Sequence, residues 1–316
     1  METIVKGSSR SVKPIGRVGA KLILKDWQLY SLLILPIVYY VIFKYLPIVG
    51  NIIAFRKYVP GGSMFGDRWV GLKYFSMFIF DQNFWNIFWN TIRISLMTLI
   101  FGFPAPIIFA LLLNEITSPG FKKTVQTISY LPHFLSIVVV AGMIMDVLSP
   151  SGGIINMLIK NLTGKTIPFM QESQYFTAIY VVSDIWQGIG WGAIIYLAAL
   201  TGINTELYEA AMIDGANRWR QTLHVTIPGI LPTVTVMLIL NLGNILNVGF
   251  EKVFLLYNPA IFDKADVIST YLYRMAMQMN SFSYATAVGL FESVIGLVLV
   301  LLTNALSKKL SGSGLW

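Results

Sequence analysis

Six long apolar runs dominate this chain, near residues 29–53, 88–114, 124–148, 175–201, 225–248 and 280–306. Each is long enough for the roughly 20 helical residues that cross a bilayer. In lipid every backbone N–H and C=O must find its partner inside the segment, which a helix achieves and an isolated strand does not. The expected fold class is therefore an all-α membrane protein with six transmembrane helices. Charge supports this: 12% of residues are charged, against about 25% in soluble domains. The first run is the least clean, because Lys44 and Pro47 interrupt it. Lys44 can snorkel to headgroups if the helix ends near Pro47. That run is long and no small-residue cleavage site follows it, so it is expected to remain as a span.

Basic residues orient the spans. Lys6, Arg10, Lys13, Arg17, Lys21 and Lys25 precede the first run, Lys122 and Lys123 lie in the turn 115–123, Arg218 and Arg220 lie between the fourth and fifth runs, and Lys308 and Lys309 follow the sixth. Six crossings put these 12 on one side, against nine in the longer opposite loops 54–87, 149–174 and 249–279. The bias places both termini in the cytoplasm, since Lys and Arg concentrate there. The organisation expected is a basic segment 1–28, a six-helix transmembrane domain 29–306 with a cytoplasmic loop 203–224, and a tail 307–316. With no cysteine and two histidines, His133 and His224, far apart, neither disulfides nor a metal cluster is expected. His133 is expected simply beside the third span and His224 on the loop surface.

The loop is the polar exception. Glu209 to Pro232 reads EAAMIDGANRWRQTLHVTIPGILP. Thr205 is a possible cap for good helix formers, Gly215 permits a bend, and residues 216–226 can form a second short helix. A helix–turn–helix of this size suits a groove on another protein; the residues alone equally allow a solvated loop that connects two spans.

The loop resembles the signature of membrane subunits from binding-protein-dependent, ATP-driven importers. That pattern is E-A-A, three residues, G, nine residues, then I-x-L-P. Glu209-Ala210-Ala211, Gly215 and Val225-Thr226-Ile227-Pro228 stand at those spacings, with Asp214 and Ala216 extending the match. Val225 and Ile227 are conservative departures. Thr222 stands where relatives often have phenylalanine, so Trp219 or Leu223 would have to supply that apolar contact. About 270 residues share the resemblance. Asp26-Trp27-Gln28-Leu29-Tyr30, Phe43-Lys44-Tyr45-Leu46-Pro47, Trp69-Val70-Gly71-Leu72 and Phe254-Leu255-Leu256-Tyr257-Asn258-Pro259 look like the oligosaccharide branch of carbohydrate-importer permeases. The resemblance implies a type I ABC importer transmembrane domain, a second related permease, a cytoplasmic ATPase pair, an external sugar-binding protein and a bacterial cytoplasmic (inner) membrane. It implies that ATP and Mg belong to the ATPase, with no cofactor in this chain. It also implies that the loop seats in the ATPase through Glu209, Ala210, Ala211, Asp214, Gly215, Trp219 and Pro228.

The chain itself reads as no enzyme. Gly164-Lys165-Thr166 lacks the earlier glycine of a phosphate loop, because Ile159 stands there. Polar groups inside the apolar runs are costly and mark pathways or interhelical bonds. Asp184 and Glu292 fit either reading. Asn241, Asn244, Asn247 and Glu251 repeat at helical spacing as one polar stripe. Trp186, Gln187 and Trp191 form a second candidate cluster for sugar faces and hydroxyls. Gly188, Gly190 and Gly192 suit close helix packing, Pro104 and Pro106 a kink, and Arg93 and Asp146 local ion pairs. The expected function is oligosaccharide import. The alternatives are an ion-coupled secondary transporter using Asp184 and Glu292, a scaffold, or an importer permease for a non-sugar solute.

Overall fold

The computed structural model describes residues 27–63, 65–246 and 248–311, so the basic residues before residue 27, Asn247 and the tail beyond residue 311 lie outside the described residues. Contacts divide the chain into two units, Met1–Ile52 and Ile53–Trp316. In the first, helix Trp27–Tyr40 carries Pro36 inside it and passes into a π turn, Val41–Tyr45, then a short helix, Leu46–Gly50, with Pro47 in its first turn. Proline withholds an N–H, and the wider turn before Pro47 accommodates that loss. The sequence here is apolar on every helical face, as a segment bathed in lipid or enclosed by protein requires.

The second unit holds the remaining helices. Gln82–Glu115, Ser173–Thr201, Arg218–Gly243 and Phe282–Ala305 are each long and apolar enough to cross a membrane. Asp81 caps the first of these by accepting from the Asn83 N–H at 2.9 Å. A π turn at Thr98–Gly102 precedes Pro104, so the helix continues past Pro104 and Pro106. Glycines set the packing against the fourth span. A Cβ at Gly190 would fall 2.2 Å from the Ser129 carbonyl oxygen, and one at Gly192 3.0 Å from Pro106. Backbones approach this closely only where a side chain is missing, the usual device where lipid removes any hydrophobic drive for helix association.

The expected third span, 124–148, is not one helix. Pro119–Phe134 and Ile137–Leu148 meet at 102°. Pro132 interrupts the donor pattern, Leu135 is extended, and Ser136 caps the next helix by accepting from the Val139 N–H. The fifth run also departs from expectation. It ends at Gly243, with Asn244 as cap, and Glu251 belongs to a separate helix, Phe250–Leu256. Asn241 and Glu251, the two ends of the expected stripe, therefore lie on separate helices.

The loop 249–279 is packed structure. Val253, Ala265, Val267 and Ile268 are fully buried. Long-range polar bonds hold it. Asn90 donates to the Asp263 carbonyl at 2.9 Å and the Asp266 carbonyl at 3.2 Å, and Arg93 donates to the Lys264 carbonyl at 3.0 Å. Arg274 pairs with the buried Asp266, which also accepts from Thr270 at 2.8 Å. Arg93 and Asp146 were expected in local ion pairs; neither forms one among the described residues, because Arg93 is spent on the backbone carbonyl of Lys264 and the Asn90 amide.

Candidate functional site

Two places in the second unit carry the chemistry. The first is the polar loop. Helix Thr205–Ile213 begins at Asn204, whose side chain accepts from the Glu206 N–H at 3.0 Å, so the cap lies one residue before Thr205. It ends in a left-handed turn: Gly215 has φ 75°, the Ala216 N–H bonds the Ala211 carbonyl at 2.8 Å, and the Gly215 N–H bonds the Met212 carbonyl at 3.0 Å. This pair of bonds is the Schellman arrangement, in which glycine avoids the Cβ penalty of a left-handed residue. Asn217 caps the next helix by accepting from the Arg220 N–H at 2.9 Å. That helix does not stop at residue 226. It runs through a π turn, Thr222–Thr226, straight into the fifth span. The π turn sits just before Pro228, where the missing N–H would otherwise break the ladder.

Three contacts brace the loop. Tyr208 bonds Thr226 through their hydroxyls at 3.0 Å. Arg218 bonds Glu115, at the end of the second span, at 3.1 Å. A Cβ at Gly229 would meet Ile203 at 2.8 Å. The outer surface is apolar and uncovered: Leu207, Met212, Ile213 and Trp219 are all exposed, Ile213 to 87%. Glu209, Ala210 and Asp214 are exposed beside them, Ala211 is half-buried, and Pro228 is exposed at the start of the fifth span. Glu209 has no polar partner among the described residues. An exposed apolar patch with polar neighbours marks a surface meant to be covered.

The second place is a cavity of about 490 Å³ between the second, fourth and fifth spans and the chain that follows the fifth. Asp184, Asn241 and Asn244 line it, with Tyr180, Tyr196, Ser95 and Thr98. The Asn241 and Asn244 amides donate back to the carbonyls of Met237 and Leu240, which leaves their oxygens free to accept. The Ser95 and Thr98 hydroxyls are buried in this wall without a hydrogen-bond partner among the described residues. Native proteins rarely leave buried hydroxyls unpaired without a reason. Asp184 meets Lys252 at 3.3 Å. Lys252 is 3% exposed and also donates to the Tyr180 carbonyl at 3.1 Å, with its ammonium 4.6 Å from the centre of the Tyr180 ring. Burial pushes the Lys252 ammonium pKa down, and the Asp184 carboxylate acts against that shift.

Residues 102–312 match the family described as "Binding-protein-dependent transport system inner membrane component". The chain belongs to that family. It is 41% identical over 318 residues to Protein LplB of Bacillus subtilis (strain 168), covering all of both chains. It is 41% identical over 300 residues to the polygalacturonan/rhamnogalacturonan transport system permease protein YteP of the same organism, covering 95% of this chain and 93% of that one. Among solved structures it is similar to a chain of a bacterial ABC transporter involved in the import of the acidic polysaccharide alginate. The TM-score is 0.85 at 42% identity, covering 92% of this chain and 99% of that one. The chain is thus an ABC importer permease subunit with an all-α, type I importer transmembrane fold.

Within this permease, the cavity gathers Asn241, Asn244 and Asp184 but not the other pathway candidates. Trp186 lines a separate apolar groove with Met143, Val147 and Ile179. Trp191 stacks on His133 at 4.5 Å between ring centres, and Gln187 donates to the Leu135 carbonyl at 3.4 Å, both at the bend of the broken third span. Positions 187 and 191 share a helix face, whereas 186 points about 100° away. Glu292 lines none of these cavities and has no polar partner among the described residues. Asn247 lies outside the described residues. Sequence reasoning missed Lys252, which looked like one more loop cation, and Ser95 and Thr98, whose hydroxyls carry no signal until the cavity shows them unpaired.

Proposed function

We propose that this permease imports an oligosaccharide, working in a bacterial cytoplasmic membrane with both termini inside. Its partners in this reading are a second related permease, a pair of cytoplasmic ATPases and an external binding protein. ATP and Mg bind to the ATPases, which perform the hydrolysis. Relatives named for arabinooligosaccharides, for polygalacturonan/rhamnogalacturonan and for the acidic polysaccharide alginate support an oligosaccharide cargo.

One observation carries the reading: the helix that leaves the polar loop at Arg218 is the same helix that presents Met237 and Asn241 to the cavity. At 1.5 Å per residue, Arg218 and Asn241 are about 34 Å apart on one rod. A push on the loop therefore reaches the cavity without passing through a flexible link. The exposed patch around Ile213 and Trp219 would seat in the ATPase, with Glu209 offering a carboxylate for a charge-assisted bond. Asn241 and Asn244 would exchange hydrogen bonds with cargo hydroxyls. Each exchange replaces water by sugar at little net cost, which suits a site that must also release.

The test is uptake in vesicles reconstituted with both permeases, the ATPases and the binding protein. Uptake that requires ATP and the ATPases, and that ignores protonophores, is the expected result. Uptake that persists without the ATPases and collapses with an ionophore would establish the ion-coupled alternative instead.

A further inference from the structure

The cavity wall has a formal charge on one lining side chain, Asp184. Its partner Lys252 does not line the cavity. It sits behind the wall, with a side chain 4% exposed against 44% for Asp184. Lys252 is fixed from three sides: by Asp184 at 3.3 Å, by the Tyr180 carbonyl at 3.1 Å and by the face of the Tyr180 ring. Tyr180 is itself pinned, because its hydroxyl accepts from the Gly249 N–H at 3.1 Å. The lysine is thus a built-in counter-charge in a fixed place.

Such a lysine is costly to keep. Taking an ammonium out of water is expensive even when it is paired. A pathway for an uncharged sugar gains nothing from the expense. Asp184 alone would accept hydrogen bonds from cargo hydroxyls, and an asparagine would do so without charge. A cargo that carries carboxylates is different, because a bare carboxylate on the wall would repel every acidic residue passing it. In a partly desolvated site one uncompensated unit charge near contact distance is worth about tenfold or more in occupancy.

We propose that Lys252 is the charge-selectivity residue of this permease: it cancels Asp184 and so makes the cavity passable to an oligosaccharide of uronic acids. The proposal rests on the oligosaccharide reading above and adds the charge of the cargo.

The test compares uptake of a trigalacturonate with that of its uncharged methyl ester, in the reconstituted complete transporter. The wild type takes up the acid. Lys252→Met lowers acid uptake relative to ester uptake by at least about tenfold, a shift of about 1.4 kcal/mol. Adding Asp184→Asn to Lys252→Met returns the acid-to-ester ratio towards the wild-type value, because the unpaired carboxylate is gone. A second variant leaves the pair untouched: Asn244→Asp places a new, uncompensated carboxylate on the same wall and lowers the same ratio. It decides the matter if Lys252→Met fails to assemble. Equal losses of both substrates in Lys252→Met, with no recovery of the ratio in the double variant, would make the pair a structural strut and overturn the proposal. So would an Asn244→Asp transporter with an unchanged ratio. A wild type that takes up the ester but refuses the acid would overturn the proposal and leave oligosaccharide import standing. A wild type that takes up neither would overturn the proposal, and oligosaccharide import is judged separately by ATPase-dependent uptake of an uncharged oligosaccharide.

Discussion

Tyr208 and Thr226 are 18 residues apart in sequence, yet their hydroxyl oxygens lie 3.0 Å apart in a part-buried hydrogen bond. The bond closes the polar loop onto the start of the fifth span. It ties the first helix of the loop to the long helix Arg218–Gly243.

Tyr208→Phe removes that bond and keeps the ring. The expected loss is about 0.5–1.5 kcal/mol of local stability. Insertion and pairing with the second permease are unaffected, and sugar taken up per ATP hydrolysed falls. Parallel uptake and hydrolysis assays check it; an unchanged ratio means the loop is rigid without this bond.

Arg218 and Glu115 are bonded at 3.1 Å, but both side chains are well exposed, at 74% and 45%. Exposed pairs are worth about 0–1 kcal/mol and are screened by salt. Glu115→Gln should therefore leave thermal stability of the purified complex nearly unchanged. A large drop in melting temperature would show that the pair is shielded in the assembled transporter.

Arg274 and Asp266 behave differently, with side chains 17% and 5% exposed. Arg274→Met strands a buried carboxylate, which costs about 3–5 kcal/mol. The folded segment 249–279 should then loosen, and a protease added from outside should cut it. Resistance equal to wild type would contradict the role given to this pair.

Asn244→Ala should raise the sugar concentration for half-maximal uptake several-fold, because it removes one accepting amide from the cavity, a loss of about 1 kcal/mol. Trp186→Ala should leave uptake near wild type, because Trp186 faces a different groove. Transport kinetics of the two variants side by side decide whether the cavity or the groove handles cargo.

The polar loop was legible because its determinants are local: Gly215 and the helix formers beside it shape it within a few residues, although the first cap is Asn204 and not Thr205. The long apolar runs were legible for the same reason. The bend in the third span had a signal in Pro132 and Ser136, but hydropathy averages over a break that short. The segment 249–279 read as an external loop because its order comes from distant partners, Asn90 and Arg93 on the second span. Lys252 was hidden likewise: its carboxylate partner is 68 residues away. The asparagine stripe failed at Gly243, where the helix ends and the spacing loses its meaning.

Topology is tested cleanly because the chain has no native cysteine. Arg220 is exposed on the loop and is a better label site than Asn217, which caps a helix. Arg220→Cys should resist an impermeant thiol reagent in intact cells and react once the membrane is opened, whereas Lys165→Cys should react from outside. The reverse pattern would invert the orientation.

The turn at Gly215 is expected to join this permease to its ATPase. Gly215 has φ +75° and nothing within 4 Å of where a Cβ would stand, so a side chain there meets strain and no clash. Strain of about 1–3 kcal/mol is expected for a β-branched residue, and far less for asparagine, which tolerates the left-handed region. The measurement is sugar uptake together with cargo-stimulated ATP hydrolysis in reconstituted vesicles, for Gly215→Val and Gly215→Asn. The valine variant should insert and pair normally but lose about tenfold or more of coupled uptake, while the asparagine variant stays close to wild type. Normal stimulated hydrolysis and normal uptake in Gly215→Val would contradict it.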